Sequence, residues 1–156
     1  MQGARVDKEL RKWEEKGYSS GCYYKAQEKA WMNETTMLDW VERVWKPFAM
    51  PKKEEGKLSM LIIDQMSVHL MPSVKKAIEN CGTLLEFIPK GYTSCLQVCD
   101  IGLNKPFKDY MRNTVHEWMV LHEEIIKKPD RPTVSHWIDH AWNRITTRTI
   151  INTWAH

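Results

Sequence analysis

Hydrophobic positions along the chain fall into blocks with different periods. From Asn33 onward, Met37, Leu38, Trp40, Val41, Val44, Trp45 and Phe48 recur on one side of a helical wheel. Asn33 stands at the N-cap position, Met32 is placed to staple onto Met37, and Pro47 marks the expected end of that helix. PKKEEGK, residues 51–57, reads as a solvated loop. Residues 58–63 are apolar without alternation, the pattern of a strand covered on both faces. Pro72 opens a helix whose apolar side is Val74, Ala77 and Ile78, and Gly82 closes it. A second apolar run, TLLEFIP (83–89), completes strand, helix, strand, and a right-handed βαβ crossover between parallel strands is the simplest arrangement. The expected fold class is α/β.

The segment KGYTSCLQVCDIGLNKPFKDY then forms a loop that delivers Asp100 to the front of another helix. Phe107, Tyr110, Met111, Val115, Trp118 and Met119 predict that helix's buried stripe, with Pro106 tolerated near its first turn. KKPDRP (127–132) breaks the chain, after which Val134, Trp137, Ile138, Ala141, Trp142 and Ile145 repeat the helical spacing. Ile150, Ile151 and Trp154 continue it. Residues 1–30 lack sustained apolar periodicity and carry Gly17 and Gly21 around a serine pair, so a poorly structured lead-in is expected there and a domain over 31–156.

Composition narrows the classes. A length of 156 residues with 42% hydrophobic content suits one packed domain or a piece of a larger one. The net charge of +3, with 28% charged residues of both signs interspersed, permits a nucleic-acid partner without demanding one. Cys22, Cys81, Cys95 and Cys99 form no CxxC pair, and no apolar stretch reaches transmembrane length or resembles a secretory signal. A reducing cytoplasmic or nuclear setting without a membrane is therefore the default. The eight tryptophans and nine methionines fall mostly at helical spacing, which favours core packing over ligand binding.

Asp64 ends the first predicted strand, and Asp100 enters after the second. In open α/β sheets ligands gather beyond the carboxyl ends of parallel strands, so the two carboxylates are candidates to face one another. Close carboxylates repel unless a cation lies between them, and hard divalent ions such as Mg²⁺ take oxygen ligands of this kind. Other readings stay open at this point. An Asp after a strand is also a common cap or turn residue, His69 also a hydrogen-bonding loop residue, and Asp109 also a solvated helix charge. Cys81, Cys95 and Cys99 with His69 match no standard zinc spacing, and Ser67 near His69 lacks a nucleophile elbow. The Trp-rich helices could stack bases, although periodic spacing favours packing.

LIIDQMSVHL (61–70), followed by LLEFIPKGYTSCLQVCDIGLNKPFKDYMR, closely resembles the DDE superfamily endonuclease domain of pogo/Tigger-like transposases. WMNETTMLDWVERVWKP and HWIDHAWNRI are similar to further segments of that family, so the likeness runs from about residue 31 to 154. The resemblance implies an RNase H-like fold, here incomplete, in which three acidic residues hold two divalent metals, Mg²⁺ or Mn²⁺, for phosphodiester hydrolysis and strand transfer. Carried over by residue, Asp64 is the second acid and Asp100 the third, both metal ligands, with His69 and Gln97 as site neighbours. DNA is the implied partner and the nucleus the implied location, with no small-molecule cofactor. Lys90, Lys105, Lys108 and Arg112 are candidates for phosphate contact, while Lys52 and Lys53 read as solubilising charges.

The departures from the family are specific. The first acid belongs to an early strand, and no strand-plus-Asp stretch here can play it, Asp7 lying in a charged, non-strand context. Gln65 stands where the family often has Asn, and Val98 where it often has Pro. Without the first strand, the strand ending at Asp64 is expected to keep an unpaired edge and uncovered apolar surface, favouring self-association. The chain is thus expected to be a transposase-derived, DNA-binding domain that is inactive alone, or a domesticated remnant serving as a DNA- or protein-interaction module.

Overall fold

The protein is described here by a computed structural model covering residues 16–122 and 128–155. Asp7 lies outside the described residues. Two compact units are present, one formed by residues 25–97 and the other by residues 16–24 with 98–122 and 128–155.

In the first unit, α1 (Glu34–Trp40) begins as its sequence requires, with Asn33 Oδ1 accepting from the Thr36 amide at 2.9 Å. The expected stop at Pro47 does not occur. The chain passes through a π-helical turn, Val41–Trp45, and continues as α2 (Lys46–Glu54), so the first four residues of the expected 51–57 loop are helical. The amide of Lys46 reaches back five residues to the Val41 carbonyl, and this wider turn relieves the clash a proline ring makes with the carbonyl four residues before it. Pro47 then sits in the first turn of α2, where its missing N–H costs little.

Strand β1 (Ser59–Ile63), helix α3 (Pro72–Asn80) and strand β2 (Thr83–Phe87) form the expected βαβ unit. The strands are parallel, in register from Ser59 opposite Thr83 to Ile63 opposite Phe87. Gly82 takes φ +73°, the left-handed conformation that ends α3, and its amide donates to the Glu79 carbonyl at 2.9 Å. Met37, Val41, Ala49, Val68, Val74, Ile78 and Cys81 make the core under one face of this sheet. At its start, Ser59 and Thr83 share a hydroxyl hydrogen bond of 2.8 Å, and the Trp45 indole N–H donates to Thr83 at 2.9 Å.

The expectation of a strand covered on both faces is overturned. Met60, Ile62 and Leu84 are 53%, 40% and 49% exposed, so burial alternates along both strands although the sequence does not. α3 and the α1 to α2 helical segment supply apolar cover to one side only among the described residues. The short helix α4 (Thr93–Leu96) follows β2.

The helical part of the second unit starts with another π-helical turn, Cys99–Leu103, and continues through α5 (Asn104–Leu121), α6 (Arg131–Asn143) and α7 (Thr147–Trp154). Asp130 and Thr146 cap α6 and α7 by accepting from Thr133 and Thr149 amides at 2.9 and 3.1 Å. α5 meets α6 through aromatic edges, Trp118 on Trp137 and Phe107 on Trp142, with ring centroids 5.8 and 6.0 Å apart. The stripe predicted for α5 is half-buried rather than buried, and Met119 is exposed. In α7, Thr153 is the buried residue, while Ile151 and Trp154 of the expected apolar face point outward.

Residues 17–24 join this unit through polar contacts. The Ser19 amide donates to Ser135 Oγ at 2.9 Å, its hydroxyl to Asp139 Oδ2 at 2.5 Å, and the Tyr24 hydroxyl donates to the Ser19 carbonyl at 3.0 Å. Gly21 is needed where it stands, because a Cβ there would overlap the Asp139 carboxylate. The architecture is mixed α/β with a two-stranded parallel sheet, consistent with a partial RNase H-like fold.

Candidate metal and nucleic-acid site

The parallel pairing of β1 ends at Ile63, and the next residue is Asp64. Its carboxylate is turned back into the loop it opens. Oδ1 accepts from the Met66 amide at 3.1 Å and from His69 Nδ1 at 2.9 Å, and the same ring nitrogen lies 3.1 Å from the Asp64 carbonyl. A backbone carbonyl can only accept, so Nδ1 carries the proton and Nε2 is left to face elsewhere. The side chains of Asp64 and His69 are 32% and 15% exposed, which holds the pair firmly yet leaves the carboxylate reachable from solvent. Oδ2 has no partner among the described residues.

Asp100 lies in the second unit, exposed on the π-helical turn before α5. Asn104 Nδ2 donates to its Oδ1 at 2.7 Å, and Oδ2 is again uncommitted among the described residues. Gln97 ends the first unit with Oε1 buried and without a hydrogen-bond partner among the described residues. Asp64 and Asp100 each keep one uncommitted carboxylate oxygen among the described residues, a donor of the kind hard divalent cations take. Among the described residues no group of three or more His, Cys, Asp and Glu side chains stands close enough together to hold a metal.

The basic candidates differ in how committed they are. Lys52 lies over the Phe48 ring and donates to the Phe48 carbonyl at 3.0 Å, and Lys53 donates to the Asn80 carbonyl at 2.8 Å, so both serve their own unit. Lys90, Lys105, Lys108 and Arg112 are exposed, with Arg112 paired to Asp109 one turn earlier. Lys108, Met111, Arg112, Val115, His116 and Met119 line an open groove of about 480 Å³ along α5. His116 and Asn104 were not singled out from sequence. The spacing of residues 108, 112 and 116, each four apart on one helix face, is the signal that could have found the histidine.

Comparison with known proteins agrees with the loop sequence and the βαβ geometry. The family profile described as DDE superfamily endonuclease matches residues 4–154, and the chain belongs to that family. Within it the relationship is to pogo-type transposable elements. The chain is 33% identical over 142 residues to the mouse (Mus musculus) protein named "Pogo transposable element with KRAB domain", covering 86% of this chain and 23% of that protein. It is 32% identical to the human (Homo sapiens) protein of the same name, with the same coverage. The chain thus spans about a quarter of the length of these curated relatives. No solved structure matches it. No helix among the described residues is long and apolar enough to cross a membrane.

Proposed function

We propose that this chain is the part of a transposase-derived endonuclease that offers Asp64 in one unit and Asp100 in the other as ligands for divalent cations, Mg²⁺ or Mn²⁺, and binds DNA through phosphates. The observation that carries this reading is the Asp64–His69 pair at the end of β1, one carboxylate oxygen fixed and the other free. The strand end fixes the backbone of Asp64, and the Met66 amide and His69 imidazole of the following loop hold one carboxylate oxygen, which sets the direction of the other. A cation bound there would supply the positive charge that phosphodiester cleavage and strand transfer need at the reacting oxygens. His69 acts on the site by orienting Asp64.

Lys90, Lys105, Lys108 and Arg112 are the proposed phosphate contacts, with His116 extending the row along α5. Such contacts position DNA without reading its sequence. Acting on DNA places the protein's work in the nucleus. Two of the three acids implied by the family are assigned, so we expect no cleavage by this chain alone. The open sheet face at Met60, Ile62 and Leu84 supports self-association as a further expectation. A second reading, a non-catalytic remnant that binds DNA or protein, is favoured by the same exposed apolar face, which a protein partner would cover.

Calorimetric titration with Mn²⁺ of the wild type, Asp64→Asn and Asp100→Asn tests the metal assignment. Weaker binding in each variant supports it, and equal binding in all three, or none, overturns it. For DNA, log affinity should fall linearly with log salt, and each phosphate-contacting lysine changed to Ala should reduce the slope by about 1. A salt-independent affinity would remove the phosphate assignment.

A further inference from the structure

We propose that the C-terminal helix α7 sets the position of Asp100, and that Thr153 and Gly102 are the positioning residues through which it does so. The proposal rests on the reading of Asp100 as a metal ligand.

Asp100 is exposed, so packing of its own side chain does not fix it. Its position is set by the backbone of the π-helical turn Cys99–Leu103 and, among the described residues, by a hydrogen bond from Asn104. A π-turn is wider and less regular than an α-helical one, and a glycine inside it adds backbone freedom. Something outside the turn must therefore hold it. Gly102, two residues beyond Asp100, is where α7 meets it: a Cβ on Gly102 would overlap the Oγ1 and Cγ2 atoms of Thr153, and would stand 3.0 Å from Thr153 Cβ. The backbone of Gly102 is not in the left-handed region, so the space taken by Thr153 is what excludes a side chain there.

Thr153 is itself immobilised. It is 5% exposed, and its hydroxyl donates to the Thr149 carbonyl at 2.8 Å. Thr149 in turn donates its amide to the Thr146 cap. Leu103, next to Gly102, is buried at 7% exposure and anchors the other end of the same turn. A continuous run of contacts thus leads from the cap of α7 through Thr153 and Gly102 to the turn that carries Asp100. Thr153, which bears on the turn that carries the carboxylate, lies some fifty positions away in sequence, which is why no local motif shows it.

The test combines Mn²⁺ calorimetry with the amide NMR signals of Asp100 and Asn104, on the full chain. Gly102→Ala should push the turn away from Thr153, weaken Mn²⁺ binding about tenfold, the order seen when the support of a metal ligand is disturbed, and shift both signals. Adding Thr153→Ala to Gly102→Ala removes the Oγ1 and Cγ2 overlaps and leaves the 3.0 Å Cβ contact, so it should recover part of the affinity and move the signals back toward wild type. Thr153→Ala alone, which keeps a good helix former and is the variant to use if Gly102→Ala does not fold, should weaken binding less and speed amide exchange at Gly102 and Leu103. Wild-type affinity and unmoved signals in Gly102→Ala, or a double variant no better than the single, would overturn the proposal. If Asp100→Asn binds Mn²⁺ as the wild type does, the metal reading of Asp100 falls and the positioning role with it. Dependence on Asp100 together with indifference to Gly102 overturns the positioning role alone.

Discussion

His69 Nδ1 lies 2.9 Å from Asp64 Oδ1, so the imidazole five residues downstream of the strand end folds back onto the carboxylate that the strand presents. The loop between them closes on itself through the Met66 amide and the Asp64 carbonyl, and one carboxylate oxygen has two donors while the other has none among the described residues. This unequal sharing gives the site a direction.

Removing that imidazole should cost more at the metal than in the fold. His69→Ala deletes a partly buried hydrogen bond worth about 1 kcal/mol to stability. Its effect on Mn²⁺ affinity should reach about tenfold or more, because it frees the ligand to rotate. Urea denaturation and calorimetry on the same variant separate the two effects, and equal metal affinity would show that His69 serves the loop alone.

The two faces of the sheet and its cover should respond differently to truncation. Ile78 of α3 is fully buried, so Ile78→Ala should destabilise by about 2–5 kcal/mol. Ile62, 40% exposed on the open face, should lose much less when changed to Ala. A shift in urea midpoint of similar size for both would mean that the open face is covered in solution, and sedimentation would show whether a second copy covers it.

Burial pushes the Cys81 thiol above its ordinary pKa, an effect that Glu42 reinforces and that Lys46 and Lys53 partly offset. At pH 8, Cys95 and Cys99, both exposed, should react with a thiol reagent well before Cys81, which is 4% exposed. The sign of the stability effect follows from the raised value. The folded state holds this proton more tightly, so the contribution is complete below the unfolded thiol's pKa and is lost as pH rises through the folded one. Thermal melts of wild type and Cys81→Ala should therefore diverge from their neutral-pH difference only in alkaline buffer.

Gly21→Ala should detach residues 17–24 from α6. The new methyl group overlaps the Asp139 carboxylate, and overpacking of this kind costs about 1–3 kcal/mol. Hydrogen exchange should accelerate at the Ser19 amide, which donates to Ser135, while Val74 and Ile78 in the other unit stay protected. Unchanged exchange at Ser19 would show that the segment adapts without releasing the contact.

By itself the sequence determined the local features of this protein. The Asn33 cap, the Pro72 start and Gly82 stop of α3, the strand-helix-strand order and the placing of Asp64 at a strand end depend on residues within a few positions of one another. Backbone hydrogen bonding and side-chain period are expressed at that range, and the family loop around Asp64 and Asp100 is legible for the same reason. Tertiary structure decided what depends on distant neighbours. Pro47 looked like a helix end until the π-turn widened the backbone before it, and the apolar run of β1 looked doubly covered although, among the described residues, only one face found helices. Ser19 with Asp139, and Gly102 with Thr153, could not be read locally. A serine, an aspartate, a glycine and a threonine carry no long-range signal of their own, and packing alone determines which backbones approach closely enough for those small side chains to matter.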